Sequence, residues 1–208
     1  MADLHRCYLG FLLPQPAMDA IKNVQFDIKR RAGSSMIKWT PPGEIAISLV
    51  ALGEINASTA ARVQGLVTPI ASRTQPMSIS IEGIGASPNV TMPKTAWVGL
   101  GGEIEALDSL RQALQRETTP FRSGPAPEQE LNIEIGRLRT FDERARTEMG
   151  RAVKMARVGH IASVDLKELH VLSSRAGDHG PRLFSMLNMP LGKGDLPPSP
   201  NEPPPSLY

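Results

Sequence analysis

Groups able to move a proton near neutral pH are few in this chain and lie far apart. The four histidines, His5, His160, His170 and His179, share no common spacing, although imidazole is the side chain whose ordinary pKa suits that work. His170 falls in a segment that reads as a strand and His179 in the glycine-rich turn AGDHGP, so strand and surface positions are the expectation for them rather than catalysis. The single cysteine, Cys7, sits in an apolar run and can form neither an intramolecular disulfide nor a cysteine metal cluster. No metal or cofactor is expected. Gly101 and Gly102 precede a helical pattern and could cradle a phosphate, but a glycine pair at such a place is mostly turn chemistry.

A stronger signal is an internal echo. EIAISL at 44–49 and ELNIEI at 130–135 share length, alternation and apolar face, and each follows a strand, a helix and a loop. Two half-units packed about a pseudo-twofold axis would line one cleft with the polar faces of both strands, setting Ala46 and Ser48 opposite Asn132 and Glu134. Arg137 lies three residues beyond Glu134, close enough to pair with it.

The surrounding pattern supplies elements to hold these strands. Residues 4–13 (LHRCYLGFLL) read as a buried strand stopped by Pro14. Ala17, Ile21, Val24 and Ile28 then recur at helical spacing, with Lys29, Arg30 and Arg31 in the last turn and Gly33 as the cap. A short strand at 36–40 precedes Pro41 and Pro42. A helix is expected over 58–70, with Val63, Leu66, Val67 and Ile70 on one face, followed by strands at 77–84 and 95–100 around the turn-rich GIGASPNVTMP. Ile104, Leu107, Leu110 and Leu114 mark another helix, and 119–130 reads as a loop. After the strand at 131–138, Thr140 and Glu143 form a capping-box pattern opening a helix towards Gly159, and two strands, 163–172 and 182–188, close the fold.

The run IKWTPPGEIAISLVALGEI resembles the first signature region of the LigT-like 2H phosphoesterases. There a Trp, a Pro and an acidic or amide residue precede His-x-Thr-Leu and then a leucine, glycine and glutamate; Trp39, Pro42, Leu52, Gly53 and Glu54 fit that frame. IEGIGASPNVTMPKTAWVGL is similar to the family's hairpin and following strand, LNIEIGR stands where the second His-x-Thr-Leu and its trailing arginine would be, and SSRAGDHGPRLFSMLNMPL resembles the closing strands. The resemblance spans nearly residues 4 to 192. It implies an α+β, bilobal fold, with two pseudo-twofold-related lobes of antiparallel sheet and flanking helices around a central cleft, making up one domain over 1–190.

Members of this superfamily hydrolyse cyclic phosphates or join RNA ends through 2′-5′ linkages. One histidine of each motif acts as general acid or base and each threonine holds phosphate oxygens, which implies RNA ends or a nucleotide-like phosphate as ligand. Here the first motif reads Ala46-Ile47-Ser48 and the second Asn132-Ile133-Glu134, so both imidazoles are missing and Ser48 alone keeps a hydroxyl. One well-placed acid or base is worth roughly a hundred- to ten-thousandfold, and paired groups fail together. Arg137 stands at the family's phosphate-contacting arginine, and its pairing with Glu134 is the favoured expectation over an anion pocket. Ala51 replaces a common phenylalanine and removes a stacking surface for bases. A site rewired around Glu134 as general base with His179 gains nothing from the spacing.

Three functions follow as expectations: a non-catalytic 2H-like protein binding a ligand or partner, a phosphodiesterase or RNA ligase-like enzyme using substituted residues, and an assembly protein acting through its tail. That tail, 191–208, is rich in proline and poor in apolar side chains, so disorder or polyproline II is expected, with a protein partner's aromatic groove as one docking site. The 208 residues, 40% hydrophobic and 21% charged, are ordinary globular usage, and the net charge of +2 neither demands nor excludes a phosphate-bearing partner. With no stretch resembling a membrane span or a secretion signal, a cytoplasmic monomer is the expectation.

Overall fold

The computed structural model describes residues 4–33, 36–121, 130–139, 142–177 and 180–192. In chain order they form β1 (His5–Leu12), α1 (Gln15–Ala32), β2 (Ile37–Trp39), β3 (Ala46–Ile55), α2 (Ala57–Arg73), β4 (Met77–Ser87), β5 (Thr95–Gly102), α3 (Ile104–Glu117), β6 (Asn132–Leu138), α4 (Glu143–Met155), β7 (His160–Leu166), β8 (Glu168–Gly177) and β9 (Gly180–Pro190). Short 3₁₀ turns occupy Pro42–Glu44 and Thr119–Phe121. The strands make two antiparallel sheets, ordered β3-β1-β8-β9 and β2-β6-β5-β4-β7. The echoing segments thus fall in different sheets, β3 in the first and β6 in the second, as two lobes require.

Each sheet buries one face under helices. α2 lays Ala60, Val63, Val67 and Ala71 against the first sheet, whose Cys7, Leu9, Val171 and Leu169 are fully buried. α1 and α4 pack on each other and on the second sheet through Ile21, Ile28, Met149 and Val153. Gln25 is the polar residue of this layer: its Nε2 donates to the carbonyls of Thr40 (2.7 Å) and Ile135 (2.8 Å). One side chain of α1 therefore ties β6 to the segment that leads into β3. The cap of α1 forms as its sequence implies, with Gly33 at φ 63° and its N–H on the Lys29 carbonyl.

Several sequence expectations need correction. Residues 163–172 are not one strand: β7 ends at Leu166 in the second sheet and β8 begins at Glu168 in the first. Burial shifts from even positions (Val164, Leu166) to odd ones (Leu169, Val171), which marks the crossing between sheets. The glycine-rich stretch from 83 is not all turn, since β4 runs on to Ser87 with a bulge at Gly83 (φ 68°). Leu66 lies at the edge of its helix stripe and is 42% exposed. α4 stops at Met155 rather than near Gly159, and its cap is Asp142, which accepts from the Ala145 N–H at 2.7 Å; Thr140 lies outside the described residues. So do 193–208 of the tail and 122–129 of the loop. Among the described residues no helix is long and apolar enough to cross a membrane.

Candidate functional site

Register decides what the cleft contains. Across the first sheet Gly10 pairs with Ser48 on one side and with His170 on the other, while Leu12 pairs with Ala46 and Tyr8 with Ala51 and Leu172. Directly paired residues project to the same side of a sheet. Ala46, Ser48, Tyr8 and His170 therefore share the face opposite α2. A Cβ on Gly10 would collide with the Ile47 carbonyl, so a glycine lets β1 close on β3 beside Ser48.

In the second sheet Trp97 pairs with Glu134, Gly99 with Asn132 and Thr95 with Arg137, all on the face away from α1 and α4. Glu134 and Arg137, three residues apart, would point to opposite sides of a regular strand. The irregularity opposite Ala96 and Trp97 gives β6 one extra residue and turns Arg137 to the side of Glu134. β3 packs against β6 where the lobes meet.

A bidentate ion pair dominates the electrostatics here. Arg137 donates from Nε to Glu134 Oε1 at 3.0 Å and from a terminal nitrogen to Oε2 at 2.6 Å. The Glu134 hydrogen bonds hold the Arg137 guanidinium above its ordinary pKa, and the Tyr8 phenol of the other lobe adds to that shift. Tyr8 is itself pushed up by burial, opposed by Arg6, whose guanidinium lies 5.7 Å from the ring, and reinforced by Glu44. Glu44 accepts from Ser174 Oγ at 2.5 Å, which anchors the turn before β3 to β8.

The four motif residues thus lie on the open faces of β3 and β6. Ala46 carries only a methyl group and is 9% exposed. Ser48 and Asn132 are half-buried and make no side-chain hydrogen bond to another described residue. Gly101 and Gly102 form no phosphate cradle: they continue β5, paired with Ser80 and Ile79. His5 and His160 fall outside the Ser48 row, and His179 lies outside the described residues. A hollow of about 560 Å³ beside α3, lined by Asp108, Arg111 and Glu130 among others, includes none of the four motif residues.

Two cleft residues escaped the sequence reading. His170 shares the Ser48 row, its Nδ1 2.9 Å from Ser185 Oγ, and burial lowers its pKa below the ordinary 6.5. Trp97 lies on the open face of β5, with Nε1 donating to Ser87 Oγ at 2.8 Å. The cross-strand pairings of Gly10 and Gly99 with the motif strands are the signal that could have exposed both, but they require the register.

No family model matches the chain. An RNA 2′,3′-cyclic phosphodiesterase of Aquifex aeolicus is 22% identical over 180 residues, covering 85% of this chain and 92% of that protein. Its namesake in Archaeoglobus fulgidus is 35% identical over 78 residues, 38% of this chain and 43% of that one. Among solved structures, E. coli LigT in apo form superposes with a TM-score of 0.67 at 13% identity, over 92% of this chain and all of LigT. LigT complexed with 3′-AMP gives 0.65 at 14%, covering 90% and 98%. The two antiparallel sheets with their flanking helices are the LigT fold, and the similarity to these cyclic phosphodiesterases supports a LigT-like 2H phosphoesterase relationship for the chain.

Proposed function

We propose that this chain is a 2H phosphoesterase-like pseudoenzyme that binds the phosphate-bearing end of a nucleotide or RNA in its cleft without turning it over. The observation that supports the reading is the pair of strands β3 and β6, whose open faces carry Ala46 and Asn132 at the positions the resemblance assigns to the two motif histidines, while Glu134 occupies Arg137. A methyl group and a carboxamide exchange no protons near neutral pH. Ser48 and Asn132 nevertheless offer unengaged donors to phosphate oxygens. Binding of a phosphate-bearing ligand is supported by the neighbours, since LigT has been solved with phosphate and with 3′-AMP.

The test is an assay on RNA ending in a 2′,3′-cyclic phosphate. Wild type is compared with the quadruple variant Ala46→His, Ser48→Thr, Asn132→His, Glu134→Thr. The reading expects no turnover by wild type and a gain in the restored variant. Turnover by wild type would overturn it.

A second reading, a working cyclic phosphodiesterase with substituted residues, draws on His170. Burial lowers the pKa of that imidazole, which lies within hydrogen-bond distance of Ser185 and on the same face as Ser48. Under it, wild-type turnover would disappear in His170→Gln; activity untouched by that change would remove His170 from the chemistry.

A further inference from the structure

The Trp97 indole is bedded on glycine. A Cβ built on Gly85, its partner on β4, would run into the six-membered ring, and one built on Gly99 would lie 3.6 Å from it. The ring therefore lies flat across the sheet towards β4, with backbone beneath one face. Its edge is pinned: Nε1 donates to Ser87 Oγ at 2.8 Å, and that hydroxyl donates to Glu130 Oε2 at 3.1 Å. The side chain projects on the same face as Glu134 and is only half-buried, so part of it is accessible on the cleft side.

An aromatic ring held flat, with its polar edge satisfied and part of its surface accessible, is an arrangement that can stack a planar π-system. A Trp buried for packing alone would be covered on both faces. Trp39, the other tryptophan, is half-buried too, but it packs against the core beside Gly136 and Ile37 on the helix-covered side of the sheet. Trp97 is also placed to work with the motif strand, because it pairs directly with Glu134 on β6 while its ring extends over β4. β6 and β4 are two strand spacings apart, roughly 10 Å, a separation a single nucleotide can span between phosphate and base.

We propose that Trp97 is the base-binding platform of this cleft, stacking a purine or pyrimidine whose phosphate lies towards Ser48 and Asn132. The phosphate placement rests on the binding reading above; the platform itself does not. Stacking of this kind carries little sequence preference, so the ligand class is a nucleotide or single-stranded RNA end rather than one particular base.

The experiment uses the full chain carrying Trp39→Phe, which leaves Trp97 as the fluorescent reporter, and three probes: adenosine, inorganic phosphate and 3′-AMP. Adenosine and 3′-AMP are expected to quench Trp97, and phosphate alone is not. In calorimetry Trp97→Ala should weaken 3′-AMP binding roughly five- to a hundredfold, with Trp97→Phe retaining most of it and phosphate affinity unchanged. Trp97 emission indifferent to both base-bearing probes would overturn the platform. Quenching by adenosine with no measurable phosphate binding would uphold the platform and sink the phosphate reading. Because quenching is read with Trp97 intact, the result does not depend on the alanine variant folding.

Discussion

Glu134 holds Arg137 by two hydrogen bonds, 3.0 and 2.6 Å, across a bulge in β6 that places both side chains in the cleft. Under the proposed binding of a phosphate, Arg137 is thereby occupied, and a carboxylate stands where an incoming anion would be repelled. Replacing the carboxylate by an amide should release Arg137 and remove that repulsion.

Glu134→Gln is therefore expected to tighten the binding of inorganic phosphate, and Arg137→Ala to weaken it. Surface pairs of this exposure are worth up to about 1 kcal/mol, or roughly a fivefold change. Calorimetric titration with phosphate reads both variants, and the melting temperature should scarcely move. Weaker binding in Glu134→Gln would mean that the carboxylate itself contacts the ligand.

Gln25 makes a different kind of prediction, about the joint between lobes. Gln25→Ala would strip a hydrogen bond from the carbonyls of Thr40 and Ile135. Ile135 retains the Thr40 N–H at 3.1 Å, so Thr40 bears most of the loss. A destabilisation of about 1–3 kcal/mol is expected, the cost of leaving such a group unpaired, measured by urea unfolding. A change below about 0.5 kcal/mol would show that water replaces the side chain at little cost.

Much of this frame was legible because it is periodic. The stripe Ala17, Ile21, Ile28 and the alternations EIAISL and ELNIEI state which face of each element is buried, and the echo between the two strands anticipated their placement in separate sheets. What escaped depended on register. The strand pairing that brings His170 into the row of Ser48 joins residues distant in sequence, and no local pattern records it. The same holds for Trp97, whose bed is Gly85 in a stretch that reads as turn. The Glu134–Arg137 pair was legible from spacing, but the bulge that lets it form was not.

Gly10 tests the close approach of β1 and β3. A side chain there meets the Ile47 backbone carbonyl, which cannot rotate away as a flexible side chain would. Gly10→Ala should force the strands apart beside Ser48 and cost about 1–3 kcal/mol, the usual range for overpacking. Thermal unfolding reads the loss, and phosphate titration of the folded fraction should show weakened binding. An unchanged melting temperature would mean that the strands shift freely and that the glycine is incidental.

His170 supplies a pH signature. Burial holds its folded-state pKa below 6.5, with Glu168 opposing the shift only in part. Above that ordinary value the imidazole is neutral in both folded and unfolded chains, and its full contribution to stability is present. As the pH falls through 6.5 towards the lower folded-state value, the unfolded chain takes up the proton first, so stability declines across that window and levels off below it. This is the reverse of a histidine whose pKa a carboxylate partner has raised. Urea unfolding from about pH 7.5 down to about pH 5 should show wild type losing stability relative to His170→Gln. The carboxylates of Asp27 and Asp108, lowered by hydrogen bonds from Arg31 and Arg111, add their own loss only at more acid pH and in both proteins alike. Parallel curves for the two proteins would place the His170 ring in water and remove it from the interior of the cleft.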